Sequence, residues 1–335
     1  MNEEEMTYAK AGVDIEKSEI AKKYLIDKLK HKRSGIGAPL IEIGHYAGLI
    51  DFGEYVIAIT TDGVGTKLLV ANELKKWNTV GIDCVAANVN DLYAMGVEPV
   101  AFVDYLAVEK LDNEFMAQIG EGLNKGAKLA DISIVGGETA IVPELVKGFD
   151  LAGTCIGIAK KEEIITGRDI KIGDVILGLR SSGIHCNGLT LARRVVEKAG
   201  YSYHDPFPYD PDITIGEELL RPTKIYSEAL KIARKCEVHG MAHISGGGLF
   251  NLQRLTSLGF QISDPIPPND IFNFIEENGK ISKYEMYKTF NMGMGFAIIL
   301  PEEEVEEALK IARDSAKMVG RIVERGCRVG RLKMW

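Results

Sequence analysis

The stretch YVIAITTDGVGTK (residues 55–67) runs from an apolar strand directly into a turn with two glycines. Glycines let backbone N–H groups approach phosphate oxygens, a lysine adds a compact positive charge, and an aspartate can hold Mg²⁺. Asp-Gly is also a common hairpin turn, and the string is not the Walker pattern G-x-x-x-x-G-K-[ST]. A phosphate-binding turn and a plain β-turn therefore both stay open for Asp62, Gly63, Val64, Gly65, Thr66 and Lys67.

Strands and helices alternate along the rest of the chain, which predicts a mixed α/β fold with some antiparallel strand pairs. The charged, glycine-containing connector at 160–174 predicts two domains, residues 1–165 and 166–335. In the first half we expect helices at 80–95 and 113–129, strands at 100–108, 132–135 and 150–159, and a turn at GGET (136–139). In the second half we expect strands at 174–182 and 296–301, and helices at 188–199, 222–236, 248–258, 269–278 and 302–318.

Composition narrows the class of partner. The chain has 335 residues and a net charge of −8, so no long-range positive field attracts nucleic acid or an anionic membrane. Five scattered cysteines without a C-x-x-C pair argue against a disulfide framework and a zinc site. The start MNEEEMTYAK lacks the apolar segment of a signal peptide, and no apolar run reaches membrane-spanning length. We expect a cytoplasmic protein with a small-molecule partner.

Three carboxylates are candidate metal ligands. Asp62 ends the first strand, Asp91 lies in a helix of small apolar residues, and Glu138 follows two glycines. Mg²⁺ that bridges nucleotide phosphates usually needs only one or two protein carboxylates. Asn88, Asn90 and Asp91 also have an ordinary interpretation, as a solvated helix face or a helix-end hydrogen bond.

Two loops of the second half carry hydroxyls, amides and glycines ahead of helices, as anion-binding loops do. SSGIHCNG spans 181–188 and HISGGG spans 243–248. Either loop suits a phosphate or an oxyanion, and either is equally consistent with a tight structural turn. His185 is a candidate acid or base, although a lone loop histidine more often makes a capping hydrogen bond.

Nine sequence motifs, taken together, resemble those of one protein family. They occur in the same order as in that family and cover about residues 7–300. They are TYAKAGVDI, TTDGVGTK, GIDCVAANVNDLYAMGVEPVAFVDYLA, GGETA, DLAGTCIGI, SSGIHCNG, RPT, AHISGGG and EMYKTFNMGMG. The family is the phosphoribosylformylglycinamidine cyclo-ligases of de novo purine synthesis. The resemblance implies an ATP- and Mg²⁺-dependent enzyme with two α/β domains. It also implies that the N-terminal sheets of a homodimer pair into a barrel, with nucleotide in the nearby cleft.

Site roles follow from the resemblance residue by residue. Asp62 and Asp91 match the Mg²⁺–ATP acids, and Glu138 occupies the place of a GGD-type acid in the relatives and is a third candidate metal ligand. Lys67 with the Gly63–Thr66 backbone would bind ATP phosphates. An arm with Tyr8, Lys10 and Asp14 would fold over the nucleotide. Lys67, Asp91 and His185 are the implied catalytic residues, with His185 handling a proton. The ribose 5-phosphate end of formylglycinamidine ribonucleotide would be held by Ser182, Gly183, His185, Asn187, Ser245, Gly246, Gly247 and Gly248.

Two departures from the family pattern stand out. Ile141 replaces the usual glutamate after GGETA, and the basic tail ERGCRVGRLKMW (324–335) has no alignable counterpart, so we expect it to be peripheral. Other readings are a related ATP-dependent small-molecule kinase and a catalytically silent nucleotide-binding subunit. A related selenophosphate synthetase needs a reactive cysteine in an N-terminal loop, and the first cysteine here is Cys84.

Overall fold

The computed structural model describes residues 6–335, so the acidic start at residues 1–5 lies outside the described part. The first half contains one five-stranded sheet and four helices. Its strands are β1 (Gly48–Phe52), β2 (Tyr55–Gly63), β3 (Glu98–Val108), β4 (Ser133–Ile141) and β5 (Phe149–Lys160). Its helices are α1 (Ile15–Ile26), α2 (Lys67–Leu74), α3 (Val80–Tyr93) and α4 (Asn113–Ala130).

The first sheet has the strand order β1-β2-β5-β3-β4. β3 and β4 are parallel, whereas the other neighbours are antiparallel, which confirms the mixed α/β prediction. Along β2 the side chains alternate as expected for a half-buried strand. Val56 and Ala58 are buried beneath helix α3, while Ile59 on the opposite face is 39% exposed.

Glycines bring α3 and α4 into close contact against the sheet. A Cβ atom on Gly81 of α3 would lie 2.3 Å from the backbone nitrogen of Leu123 in α4. A Cβ on Gly122 would lie 2.7 Å from the carbonyl oxygen of Asn78. Only residues without side chains permit this approach, and the packing fixes the position of α3 above the sheet.

The second half is built on a seven-stranded sheet with the order β14-β13-β10-β12-β6-β11-β9. Its strands are β6 (Val175–Arg180), β9 (Gly240–His243), β10 (Gly259–Ile262), β11 (Met294–Leu300), β12 (Ala316–Val323), β13 (Cys327–Val329) and β14 (Leu332–Lys333). β7 (Pro206–Phe207) and β8 (Asp210–Thr214) form a separate hairpin. The helices are α5 (Leu189–Lys198), α6 (Ile215–Leu219), α7 (Ser227–Ala233), α8 (Asp270–Gly279), α9 (Lys283–Thr289) and α10 (Val305–Ala312).

Four sequence predictions are wrong in detail. GGET is part of strand β4, because β4 continues its parallel pairing with β3 through Ile141. The helix predicted at 302–318 ends at Ala312, and after a 3-10 turn at Arg313–Ser315 the chain forms β12 between β6 and β10. Of the helix predicted at 222–236, only α7 (Ser227–Ala233) forms. The segment predicted as a helix at 248–258 instead contains a 3-10 helix at Gly248–Arg254. For GGET, strand pairing outweighs the local turn preference of glycine, and in the three helical segments tertiary context outweighs local helical periodicity.

The basic tail is not peripheral. Strand β13 pairs in parallel with β10, and Cys327 is fully buried. The ring of Trp335 packs 4.9 Å from that of Phe250, centroid to centroid. The tail therefore completes the edge of the second sheet.

The two sheets are separated by residues 161–174, since β5 ends at Lys160 and β6 begins at Val175. The predicted boundary at 165/166 falls within this connector, and its exact position stays a prediction. None of the helices in the described part of the chain is long and apolar enough to cross a bilayer.

Candidate functional site

A cavity of about 300 Å³ lies between the two halves of the chain. The first half lines it with the turn after β2, and the second half lines it with parts of both glycine-containing loops. Predicted residues at its wall are Tyr8, Asp62, Gly63, Val64, Gly65, Thr66, His185, Asn187 and Ser245. The fold therefore brings together nine of the nineteen residues that the sequence predicts for the site.

The turn after β2 combines a carboxylate with a left-handed glycine. Asp62 Oδ1 accepts a hydrogen bond from the backbone nitrogen of Gly63 at 2.8 Å. Gly65 has a φ of 72°, which side-chain-bearing residues adopt at a cost. The hydroxyl of Thr66 lies 3.0 Å from that of Thr190, so this turn contacts the second half directly. Burial and the nearby Asp91 carboxylate raise the pKa of Asp62. A bound cation would stabilise the ionised carboxylates.

Lys67 does not line the cavity. Its Nζ lies 2.9 Å from Asp83 Oδ2 and 2.6 Å from the carbonyl oxygen of Arg221. Both Lys67 and Asp83 have no solvent exposure. Asp83 also accepts hydrogen bonds from the backbone nitrogen and hydroxyl of Thr223. In this arrangement Lys67 joins the two halves, and its predicted role in phosphate binding stays a prediction.

Asp91 is paired with a histidine that is absent from the predicted residues. Asp91 Oδ1 lies 2.8 Å from Nδ1 of His243, which ends strand β9 and lines the cavity. The imidazole of His243 also stacks on Phe296, with ring centroids 6.4 Å apart. The one signal for His243 in the sequence is its position between an apolar strand and a glycine loop.

Glu138 does not join Asp62 on the same face of the sheet. Asp62 is aligned with Gly153, Asp104 and Gly137 in one row across the strands. Glu138 is one residue further along β4, and successive residues of a strand face opposite sides. Its predicted role as a metal ligand stays a prediction.

Asp62 and Asp91 suit a metal ion that takes its remaining ligands from nucleotide phosphates. Among residues 6–335, no group of three or more His, Cys, Asp and Glu side chains lies close enough together to hold a metal ion. Mg²⁺ at nucleotide phosphates characteristically takes only one or two carboxylates from the protein. Asp62 and Asp91 influence each other electrostatically and are hard oxygen donors of this kind.

His185 is buried in the loop between β6 and α5. It adopts a φ of 61°, and its Nε2 lies 3.3 Å from the backbone nitrogen of Ser182, which donates to it. Burial, followed by the charges of His243 and Lys67, lowers its pKa well below the ordinary value. The imidazole is therefore neutral near neutral pH, with its proton on Nδ1.

Ser182 and Gly183 are held by the protein itself. The hydroxyl of Ser182 donates to the carbonyl of Pro222 at 2.6 Å, and the Gly183 carbonyl accepts from Asn291 at 2.9 Å. Neither residue lines the 300 Å³ cavity. Their predicted contact with substrate stays a prediction.

The glycine loop divides between two cavities. Ser245 lines the 300 Å³ cavity, whereas Gly246 and Gly247 line a neighbouring one of about 390 Å³. Gly248 serves packing, because a Cβ there would lie 2.2 Å from the carbonyl oxygen of Tyr287. The loop is held by Asn251, also absent from the predicted residues, whose Nδ2 donates to three loop carbonyls.

The N-terminal arm closes one side of the site. The backbone nitrogen of Tyr8 donates to Glu285 Oε1 at 2.8 Å, and burial raises the pKa of the Tyr8 phenol. Asp14 accepts from the backbone nitrogen of Lys17 as the N-cap of α1, and it lines a smaller adjoining cavity of about 240 Å³. Lys10 is exposed. Of the three predicted arm residues, Tyr8 alone lines the 300 Å³ cavity.

Comparison with known proteins agrees with this architecture. The family described as "AIR synthase related protein, N-terminal domain" matches residues 44–159, and the corresponding C-terminal domain matches residues 171–331. The solved structure "AaThiL complexed with AMPPCP and TMP" has a TM-score of 0.66 at 18% identity, covering 94% of this chain and 93% of that chain. At this identity the likeness concerns the fold.

Curated relatives are much more similar in sequence. "Phosphoribosylformylglycinamidine cyclo-ligase" of Methanosarcina acetivorans is 60% identical over 329 residues, which is 98% of each chain. The protein of the same name from Thermococcus kodakarensis is 51% identical over 312 residues, or 91% of each chain. The chain therefore belongs to the phosphoribosylformylglycinamidine cyclo-ligase family of AIR synthase related proteins.

Proposed function

We propose that this protein uses ATP to close the imidazole ring of formylglycinamidine ribonucleotide, which yields 5-aminoimidazole ribonucleotide, ADP and phosphate. The observation that supports this most is the 300 Å³ cavity, where the Asp62 turn meets two loops of the other half. The γ-phosphate end of a nucleotide and the reactive end of a second small molecule would meet there. Extensive identity to relatives that carry the cyclo-ligase name supports the same reaction.

In the proposed reaction ATP phosphorylates the formamide oxygen of the substrate. The amidine nitrogen then attacks the activated carbon within the same molecule, phosphate leaves with the former formamide oxygen, and a proton is lost. Because nucleophile and electrophile belong to one molecule, alignment provides much of the rate. The loops at 181–188 and 245–248 would hold the substrate, and the arm with Tyr8 would fold over the nucleotide. His185 is our candidate to accept this proton, which would have to reach Nε2 in place of the hydrogen bond from the Ser182 backbone nitrogen.

Asp62 and Asp91 would hold Mg²⁺ in this proposal, and Glu138, which faces the other side of the sheet, would bind metal apart from them. When bound, the ion would offset negative charge on the phosphates during transfer. Asp91 is itself held by His243 at 2.8 Å, so its carboxylate has a fixed orientation. The backbone of Gly63–Thr66 would face the phosphates from the same wall.

We also infer a homodimer that forms through the first sheet. The face of this sheet opposite α3 exposes Ile59, Val103, Tyr105 and Ile156, which are 37–47% accessible. Contiguous exposed apolar residues of this kind mark interaction surfaces. Pairing of two such faces into a barrel would bury them. A cytoplasmic location completes the proposal, since all five cysteines are free.

The direct test is coupled turnover. Purified protein with Mg²⁺, ATP and formylglycinamidine ribonucleotide is assayed for ADP and aminoimidazole together. The proposal expects equal amounts of both products. ADP without aminoimidazole would indicate a kinase of the same superfamily, and neither product would indicate a silent nucleotide-binding subunit.

A further inference from the structure

The 390 Å³ cavity beyond the glycine loop has the features of a phosphate-binding site. It is lined by Gly246, Gly247, Asn251, Arg254, Tyr284 and Lys288, among others. We propose that this cavity binds the phosphate group of the ribonucleotide substrate and that Arg254 is its principal ligand. This inference rests on the proposed function, and it assigns a role to a residue that the sequence motifs leave without one.

Arg254 is a cation held in place without an acidic partner. Within the described chain no carboxylate forms an ion pair with it, and its guanidinium lies over the Tyr46 ring, 5.1 Å from the ring centroid. Tyr46 is itself 5% exposed, and its hydroxyl donates to the carbonyl oxygen of Asn251 at 3.2 Å. A guanidinium seated on an anchored aromatic ring keeps its N–H groups available for bidentate binding of a phosphate.

The glycine loop is prepared for an anion by Asn251. The side-chain Nδ2 of Asn251 lies 3.0 Å from the carbonyl oxygen of Gly246 and 2.9 Å from that of Gly248. Asn251 is 2% exposed, so these carbonyls are bonded to an interior group. The carbonyl oxygens of Gly246 and Gly248 carry partial negative charge that would repel a phosphate, and the hydrogen bonds from Asn251 offset this charge. The lining carboxylate Glu19 is paired with Lys22 at 2.8 Å.

The cavity adjoins the rest of the site. The small 240 Å³ cavity shares Tyr8 and Val13 with the 300 Å³ cavity and shares Lys288 with the 390 Å³ cavity. A groove therefore leads from Asp62 to Arg254. In the substrate the phosphate is at the end opposite the formamide, so reaction near Asp62 leaves this phosphate for the far end of the groove.

ATP is the other source of phosphate groups. The two carboxylates proposed to hold Mg²⁺ with ATP belong to the Asp62 end, where Asp91 lies within electrostatic reach of Asp62. The Arg254 end contains the cations Arg254 and Lys288 and a glycine carbonyl bonded to Asn251, and its lining carboxylate Glu19 is paired with Lys22. The substrate phosphate is therefore the better match for Arg254, and kinetics separates the two sources.

The first experiment compares Arg254→Gln, Arg254→Lys and a control, Arg168→Gln. Arg168 is an exposed arginine in the connector and is paired with Asp169. Its replacement by glutamine removes the same charge far from the groove. We expect Arg254→Gln to raise KM for the ribonucleotide about 10- to 100-fold, as loss of a charged hydrogen-bond partner predicts. KM for ATP should stay within about twofold, Arg254→Lys should recover part of the loss, and Arg168→Gln should match the wild type. A rise in KM for ATP instead, or no change in either KM, overturns the inference.

The second experiment needs no turnover. Calorimetric titration with ribose 5-phosphate should show binding to the wild type and to Arg168→Gln, and at least about tenfold weaker binding to Arg254→Gln. Ribose without phosphate should bind none of them detectably. If an inactive wild type still binds ribose 5-phosphate through Arg254, the proposed reaction fails while this site stands. Equal binding by wild type and Arg254→Gln, or no binding by the wild type, contradicts the site.

Discussion

Lys67 and Asp83 form an ion pair that is closed to solvent, with Nζ 2.9 Å from Oδ2. Lys67 begins helix α2 beside the turn at the site, and Asp83 lies in helix α3. Through Arg221 and Thr223 the pair also holds a segment of the second half. The lysine that a motif interpretation assigns to phosphate is thus a link between the two halves.

Lys67→Met should destabilise the protein by about 3–5 kcal/mol, because it leaves the Asp83 carboxylate buried without its cation. Denaturant unfolding gives this free energy. Lys310→Met, which removes an exposed partner of Glu306, is the control and should change stability little. Unchanged stability of Lys67→Met together with a large rise in KM for ATP would instead support phosphate binding.

Asp62→Asn should lower kcat/KM for MgATP by about 100-fold or more, since one proposed metal ligand is lost. The matched control is Asp51→Asn on strand β1, whose carboxylate pairs with Lys161 at 2.9 Å, away from the cavity. Steady-state kinetics at varied Mg²⁺ measures both. Activity of Asp62→Asn within a few-fold of Asp51→Asn would remove Asp62 from the metal site.

Val103→Asp should convert a dimer into a 36.7 kDa monomer, because it places a charge in the centre of the exposed sheet face. Sedimentation velocity reports the change. Ile172→Asp is the control, since Ile172 is an exposed apolar residue of the connector. A wild type that sediments as a monomer, or a Val103→Asp variant that stays dimeric, contradicts the proposed interface.

His239 should make stability depend on pH. Burial acts to lower its pKa, but hydrogen bonds to Asp174 and Glu237 outweigh this, so the pKa is raised above 6.5. A raised pKa means that protonation stabilises the fold, fully at pH values below 6.5 and progressively less as pH rises through the folded pKa. Wild-type unfolding free energy should therefore decline over this interval relative to His239→Gln.

The control for this titration is His204→Gln, which removes an exposed histidine. This control reports what the loss of a surface imidazole does to the unfolding free energy by itself. A constant difference between wild type and His239→Gln would show that the Asp174–His239–Glu237 cluster does not titrate as inferred.

Local sequence signals predict much of the first half. The strand at 55–62, the helix at 80–95 and the helix at 113–129 correspond to β2, α3 and α4, where periodicity and end signals agree. GGET is different, because glycines that favour a turn locally are held extended by the neighbouring strand β3. The local sequence of β3 or of β4 alone does not reveal that the two strands pair.

The site was only partly predictable for a similar reason. The turn at Asp62 and the loop at His185 carry visible glycine patterns, and they meet at one cavity. Asp83, His243 and Arg254 each contact a partner more than 130 residues away along the chain. Single acidic, basic or imidazole side chains have no local pattern that reveals such partners.

The most direct test of the central claim follows the formamide oxygen. Formylglycinamidine ribonucleotide labelled with ¹⁸O in the formyl group is turned over with Mg²⁺ and unlabelled ATP, and the inorganic phosphate is analysed by mass spectrometry. Because ATP phosphorylates that oxygen in the proposed reaction, each phosphate released with aminoimidazole should carry one ¹⁸O atom. Unlabelled phosphate formed together with aminoimidazole would contradict the account.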